Sequence, residues 1–596
     1  MSSPLLAYWQ RLLRAEGAAQ RKGRPRVPTS PALRESTVFL VLRRMRAPLL
    51  GLIVIYAISV LGLTLVPGVD DAGRPWRMSF FHAFYFMSYT ATTIGFGEIP
   101  HAFSNAQRMW VTFSIYLTVI GWAWAIGTLL ALLQDYGFRR ALALRRFASR
   151  VRGLHEPFVL VAGYGQAGRR LVRSLDLLGR RSVVVDVEQE HIDELAMTPL
   201  ALDVPGLAAD VRVPGHLALA GLAHHSCAAV IALSDDDETN LAVTMAVALL
   251  RPDVRVYVQA FNAPTRERMV MFGQPRIIDP FDRFGDYLRA AIRSPASFRL
   301  IEWLSGGPGS LLPRLRAVPR GRWIVCGFGR FGRHVAADLR AEGMEVTVIE
   351  PGVAAAEDSA IIVGDATDGA SLAKARPETA VGFIAATNND TANVSMIVAA
   401  RRANPKLFLI ARENDPSNHA LFRKIDLDFA LVPAEVVARE VLADMTSPLL
   451  YRFLESLPGC DDAWSTEVTR RLVHTGGERM PAIWRVTLDR VQAPAVLAWL
   501  AEGRSLSVGA LLGSRGKGQG RVVLLMRLRG GEQMLAPGNF VDLAAGDELL
   551  LAAHGEARRA LMAILASEAA RDRALLGIDR PAGWVWQRLA RRRAGG

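Results

Sequence analysis

Between Ser79 and Glu98 the sequence reads SFFHAFYFMSYTATTIGFGE, and its last seven residues, Thr92, Thr93, Ile94, Gly95, Phe96, Gly97 and Glu98, carry the plainest chemistry in the chain. Gly95 and Gly97 can take φ values closed to other residues. Successive carbonyl oxygens can then turn to one side as a stack, with the Thr93 hydroxyl added at its base. Four such stacks around an axis make oxygen cages.

A second pattern occurs twice. PFVLVAGYGQAGRRLVRSLDLLGRRSVVVDV reads as a buried strand, a glycine turn, an amphipathic helix and a strand ending in an acid. Gly327, Gly329, Gly332 and Glu350 each fall 164 residues after Gly163, Gly165, Gly168 and Asp186, and each acid stands 18 residues past its third glycine. Glycines there let a pyrophosphate approach the helix amino end, and a carboxylate at that place accepts both hydroxyls of an adenosine ribose. Strand-to-helix packing alone is the rival explanation. Arg330 and Arg333 flank the second turn, where they add positive charge or simply meet solvent. Further on, Asp390, Asn393, Pro433, Ser447 and Pro448 keep an offset of 153 from Asp237, Asn240, Pro280, Ser294 and Pro295, so the second copy has lost eleven residues in between. An internal duplication explains both registers.

These groups need elements to position them. Leu49 to Val66 hold no charge for 18 residues and Met109 to Leu133 none for 25, and both are long enough to span a bilayer. Arg43, Arg44 and Arg46 before the first span, with Arg139, Arg140, Arg145, Arg146, Arg150 and Arg152 after the second, put both ends in the cytoplasm. The 79–98 segment is apolar yet too short to cross beside two spans, so it is expected to be re-entrant. Gly121 in the second span is a hinge candidate, with Gly127 its rival and close helix packing the alternative.

A chain of 596 residues is too long for one core. Half of its residues are hydrophobic (51%), and mean hydropathy is +0.18, which excludes a disordered composition. The net charge of +14 is local, since residues 1–46 hold ten basic against two acidic side chains. Both this segment and the basic tail can lie on anionic lipid or stay solvated, and nucleic acid is the poorer reading because the charge sits beside the membrane. Cys227, Cys326 and Cys460 lie far apart, which excludes a disulfide framework and a zinc ribbon. The run Asp235, Asp236, Asp237, Glu238 is read as a helix cap before a calcium site.

The residues Thr92 to Glu98 between two spans resemble the filter of potassium channels, with Ile, Phe and Glu in place of the usual Val, Tyr and Asp. Tyr85 and Phe86 stand where many members carry a tryptophan pair, which leaves open how the outer acid is braced. Below a two-span pore, the tandem glycine-turn domains resemble the regulator-of-potassium-conductance (RCK, TrkA-N-like) domains of ligand-gated potassium channels. The second copy keeps the family's GDAT, Gly364 to Thr367, whereas the first has Ala209, Asp210 and Val211. The resemblance implies a multidomain fold. Its parts are a basic cytoplasmic segment (1–46), a two-helix tetrameric pore with a re-entrant loop (47–135), two α/β Rossmann-like RCK domains (155–304 and 320–456), a small α+β carboxy-terminal lobe (461–565) and a basic tail (571–596). Residues 281–304 and 434–456 would be crossover helices joining lobes and neighbouring subunits, and Ser305 to Gly321 a linker.

The function so implied is that of a homotetrameric, potassium-selective channel of the inner membrane, not an enzyme. An adenine nucleotide, NAD(H) or ADP/ATP, would gate it, held by Gly163, Gly165, Gly168 and Asp186 or by Gly327, Gly329, Arg330, Gly332, Glu350 and Asp365, with calcium as a further regulator and any metal site left open. The alternatives are a membrane-anchored nucleotide-binding subunit of a cation transporter and a membrane-tethered NAD-dependent oxidoreductase. For the latter, no His or Tyr is placed as a proton donor, and His224 and His225 read as surface or packing residues.

Overall fold

A computed structural model describes residues 32–306, 309–352, 361–513 and 522–578. The basic segment up to residue 31 and the tail beyond residue 578 lie outside them. Helices α1 (Ala32–Leu65) and α3 (Asn105–Gln134) contain the two apolar spans, Met45–Leu65 and Asn105–Gln134, with mean hydropathies of 2.3 and 1.8. The second begins four residues before the uncharged run because Ser104 and Gln107 close a capping box over its first turn. Glycines let the two helices meet closely. A Cβ on Gly62 would lie 2.0 Å from Trp110, one on Gly51 2.7 Å from Trp124, and one on Gly121 2.8 Å from Ile55. Gly121 is therefore a packing contact in this structure, within an unbroken helix. A short hairpin, β1 (Gly68–Val69) with β2 (Pro75–Trp76), follows the first span, and the re-entrant helix α2 (Phe80–Ala91) starts on the Ser79 cap. A basic helix, α4 (Tyr136–Arg152), follows the second span.

The repeat folds as two six-stranded sheets. The first holds β3 (Phe158–Ala162), β4 (Arg181–Asp186), β5 (Gly206–Ala208), β6 (Cys227–Ala232), β7 (Arg255–Gln259) and β8 (Arg276–Ile278) in the order β5-β4-β3-β6-β7-β8. The second holds β9 (Arg322–Cys326), β10 (Glu345–Glu350), β11 (Ile361–Val363), β12 (Gly382–Ala385), β13 (Phe408–Arg412) and β14 (Phe429–Leu431) in the equivalent order β11-β10-β9-β12-β13-β14, all parallel. This is the doubly wound order, whose reversal beside the first strand opens a crevice at the strands' carboxyl ends. Strand β9 buries Trp323, Ile324, Val325 and Cys326 on both faces, as a central parallel strand must.

Each copy continues into a crossover pair, α6 (Pro280–Arg293) with α7 (Pro295–Ser305) in the first and, after α9 (Asp390–Ala403), α10 (Pro433–Thr446) with α11 (Pro448–Ser456) in the second. Each helix has Pro in its first turn, where the missing N–H costs nothing. The first glycine-turn helix of each copy is α5 (Gln166–Leu177) and α8 (Arg330–Ala341), and the crossover helices pack against them reciprocally. Helix α6 lies on α8, with Arg289 on Asp338 at 2.5 Å, and α10 lies on α5, with Arg170 on Glu435 at 3.4 Å. The crossovers thus join the two copies of one chain. Between them, Arg283 reaches Glu440 at 3.1 Å and Glu455 at 2.8 Å, while Tyr451 donates to Glu440 at 2.7 Å.

The carboxy-terminal lobe is an antiparallel sheet, β15 (Ala482–Thr487), β18 (Glu548–Ala553), β16 (Val522–Arg529) and β17 (Glu532–Leu535) in that spatial order. Helices cover it over a core around Trp484, Trp499 and Leu551. The glycine-rich stretch after α7 is anchored to this lobe. Gly309 donates to Met480 O at 3.1 Å and Leu312 to Glu478 O at 2.8 Å.

Glu440 is buried at 6% exposure, and truncating it leaves Arg283 with the more exposed Glu455 as its near partner and takes the acceptor from Tyr451. Glu440→Ala is expected to destabilise the crossover interface by roughly 1–3 kcal/mol. A lowered thermal midpoint for the full chain, with Glu440→Gln falling in between, checks this.

Candidate functional site

The 92–98 segment leaves α2 with the N–H groups of its first three residues turned back on the helix. Thr92, Thr93 and Ile94 donate to the carbonyls of Ser88, Thr90 and Tyr89, the orphan acceptors of the helix end. Thr93, Gly95 and Gly97 then take φ of +63°, +68° and +93°, one residue in two. Ile94 and Phe96 between them stay outside that region. The threonine is the unexpected member, because a β-branched residue at positive φ is strained and only fixed surroundings hold it there.

Two side chains absent from the sequence reading brace this segment. Tyr89 donates its hydroxyl to Gly97 O at 2.6 Å, and its ring packs edge-on against Phe96. Arg108, in the first turn of α3, grips both oxygens of Glu98 with hydrogen bonds of 2.8 and 3.0 Å, and Oε2, one of those two oxygens, also accepts from Phe103 N at 2.8 Å. The outer acid is therefore tied to the second span, while the re-entrant helix reaches the segment through Tyr89. Tyr85 stacks on Phe81 and leans on Tyr89. Spacing offered one hint, for Tyr89 lies eight residues before Gly97, a turn inside the helix end.

In both glycine turns the three glycines divide the work. Gly163 and Gly327 adopt φ of +103° and +93°. A Cβ on Gly168 or Gly332 would lie 2.2 or 1.9 Å from the carbonyl of that first glycine, whereas one on Gly165 or Gly329 would meet nothing within 4 Å. The middle glycine leaves the helix end open, and no side chain caps it. The first turn sharpens the chain, the third lets helix approach strand, and the second keeps room for a ligand.

The acids differ in what holds them. Asp186, 7% exposed, accepts from Glu188 N at 2.8 Å and meets His191 at 3.0 Å. Glu350 accepts from Phe328 N at 2.6 Å, which turns it back on its own glycine loop. Asp210 of the first copy is clasped by Arg212 at 2.8 Å and held below the usual carboxylate range by that guanidinium. The Asp365 side chain of the second accepts, among the described residues, from Thr367 of its own turn and lines a cavity of about 760 Å³. Gly327, Gly329, Arg330, Glu350 and Arg412 line it as well. Arg412, the last residue of β13, is a third side chain missing from the sequence reading.

The acidic run is occupied by structure. Asp236 caps the helix Asp237–Leu250, Asp237 accepts from Phe261 N and Asn262 N, and Glu238 pairs with Arg268. Asp390 repeats the second role on Asn414 N and Asp415 N, and Asn240 and Asn393 each clamp the following strand end, so the 153-residue register carries identical bonds. Among the described residues, Asp279, Asp282 and His334 have ligand atoms within 4.8 Å of one another. Arg266 already pairs with both carboxylates. His224 and His225 stack on each other beside Phe158 as packing groups. All three cysteines are free thiols.

A family model described as an ion channel matches residues 49–135, and one described as the TrkA-N domain matches twice, over 159–280 and 323–433. Potassium channel protein 1 of Methanocaldococcus jannaschii is 28% identical over 158 residues, 25% of this chain and 47% of that protein. A Trk system potassium uptake protein TrkA homologue of Pyrococcus abyssi is 30% identical over 149 residues, 23% of this chain and 66% of that protein. The chain thus spans about half the length of the first relative and just under two thirds of the second. A solved structure described as the GsuK channel bound to NAD aligns with 91% of this chain and all of its own, at 16% identity and a TM-score of 0.42.

Two expectations follow from this geometry. Gly332→Ala should lower the thermal midpoint markedly, by overpacking worth about 1–3 kcal/mol, while Gly329→Ala leaves it in place. Scanning fluorimetry of both variants decides. The His334 imidazole, bonded to Asp282 at 2.9 Å, has its pKa raised, chiefly by that bond. Its contribution is full below pH 6.5 and fades as pH rises through the raised value, so between pH 6 and 8.5 the wild-type midpoint should fall further than that of His334→Asn.

Proposed function

We propose that this chain, which joins an ion-channel domain to two TrkA-N domains, assembles as a homotetramer that passes potassium across the inner membrane. An adenine nucleotide sets its open fraction. The observation carrying the reading is the alternation of positive φ at Thr93, Gly95 and Gly97, on a loop between two spans whose first three N–H groups turn back on the helix. Carbonyls turned to one side by that alternation exchange for the water around potassium better than around sodium. One chain contributes one loop, and closure of an oxygen cage around an axis asks for four. The basic flanks of the spans set both ends in the cytoplasm.

For the ligand, the second cleft is the better site. Its middle glycine, Glu350, Arg330 and Asp365 share one cavity, whereas the acid of the first copy's third turn is consumed by Arg212. A carboxylate at position 350 favours an unmodified ribose and repels a 2′-phosphate, so NAD(H) and ADP/ATP are preferred over NADP. Gating requires that the ligand prefer one arrangement of the cytoplasmic domains, and a coupling of about 1–3 kcal/mol suffices.

The test is flux and recording from the purified chain in liposomes. Reversal potentials in mixed salts should give potassium over sodium, Gly95→Ala should abolish conduction by forcing a side chain onto φ +68°, and the native mass should be that of four chains. Equal permeability of the two ions would sink the channel reading. Calorimetry should find NAD binding weakened by Glu350→Ala and NADP binding weaker than NAD in the wild type.

A further inference from the structure

Arg412 sits where a cation is expensive. It ends β13 inside the second cleft, its Nε is buried without a hydrogen-bond partner, and among the described residues no carboxylate pairs with it. Asp390 attracts it from a distance, but its oxygens accept from the N–H groups of Asn414 and Asp415 and from the Asn418 amide. Burial and the neighbouring Arg330 guanidinium both push the Arg412 pKa down, against the pull of Asp390. Two like charges thus face one cavity, and a partly buried cation with no carboxylate bonded to it is stabilised when an anion arrives.

Their orientation is prepared. The Arg412 guanidinium lies 5.1 Å from the ring centre of Phe281, and that of Arg330 lies 4.3 Å from that of Phe261. Both aromatic groups belong to the first copy, and the backbone of Phe261 is pinned by Asp237. Stacking holds the planar forks extended, which lowers the cost of ordering them around a ligand. Arg330 is also the first residue of α8, whose uncapped amino end follows Gly329. One arginine beside a helix end satisfies a single phosphate, and a second arginine from another strand has use for an adjacent one.

We propose that Arg330 and Arg412 form a two-arginine clamp for adjacent phosphates, so that the second cleft selects diphosphate-bearing ligands over monophosphates. The inference rests on the adenine-nucleotide reading of this cleft and names the part of the ligand that Arg412 reads.

Calorimetry on the full chain in detergent, with adenosine, AMP, ADP, NAD and inorganic pyrophosphate as probes, tests it. The wild type should bind ADP and NAD at least tenfold more tightly than AMP. Arg412→Gln should bring ADP to within about twofold of AMP while leaving adenosine unchanged, and Arg412→Lys should restore part of the difference. Arg330→Gln, at an exposed position, gives a second variant that narrows the same ratio should Arg412→Gln misfold. An ADP-to-AMP ratio untouched in folded variants overturns the clamp and leaves the nucleotide reading standing. Pyrophosphate binding that depends on Arg412, with no adenine compound bound by the wild type, upholds the clamp and removes the nucleotide reading. Absence of binding by every probe removes both.

Discussion

A backbone that leaves the helix inside a bilayer has no water to take its polar groups, and the pore part of this chain is arranged around that constraint. The N–H groups of Thr92, Thr93 and Ile94 turn back to the carbonyls at the end of α2. The first three donors of the loop thus satisfy orphan acceptors of the helix, and positive φ then recurs at every second residue, Thr93, Gly95 and Gly97. The arrangement is strained at Thr93, and the surroundings fix it from both ends: Tyr89 on the Gly97 carbonyl, and the Arg108 fork on Glu98. These two braces come from different helices, so the geometry of the loop depends on how α2 and α3 are packed, which returns the argument to Gly62, Gly51 and Gly121 in the close contact of the two spans.

The duplicated part of the chain solves another problem. Each copy has a glycine-turn helix whose outer face needs cover, and each supplies a crossover helix that covers the helix of the other. The buried network of Arg283, Glu440, Tyr451 and Glu455 lies where the crossovers meet, and charge there demands a fixed geometry, since any slip leaves an unpaired group. The ligand end of the second turn and the crossover of the first copy are therefore neighbours through Phe331, Phe281 and Phe284. A shape change at one has a short path to the other.

The two clefts began as one sequence and now differ by local pairing. In the first, Arg212 follows Asp210 by two residues and takes its charge, and His191 and the Glu188 N–H take Asp186. In the second, Asp365 keeps an edge on the cavity while Arg330 and Arg412 bring positive charge to it. The same loop thus ends with opposite electrostatic balance.

What the sequence by itself determined was whatever depends on near neighbours along the chain. Uncharged runs made spans, glycine spacing made the turns, proline and serine set the crossover boundaries, and the constant offsets exposed the duplication, because each of these is a local steric or solvation rule that no distant residue overrides. Gly95 and Gly97 were legible for that reason, and so was the cap at Asp236. Only the tertiary structure decided which side chains meet across the fold. Arg108 is ten residues from Glu98, and the first turn of α3 aims it at that carboxylate. Arg412 lies 82 residues from Arg330 and shares a cavity with it only because β13 and β9 stand in the same parallel sheet. Gly121 read as hinge or packing, and the approach of Ile55 from the other span made it packing in this structure. Pair distances between remote residues are set by sheet order and helix packing, and no spacing along a single sequence encodes them.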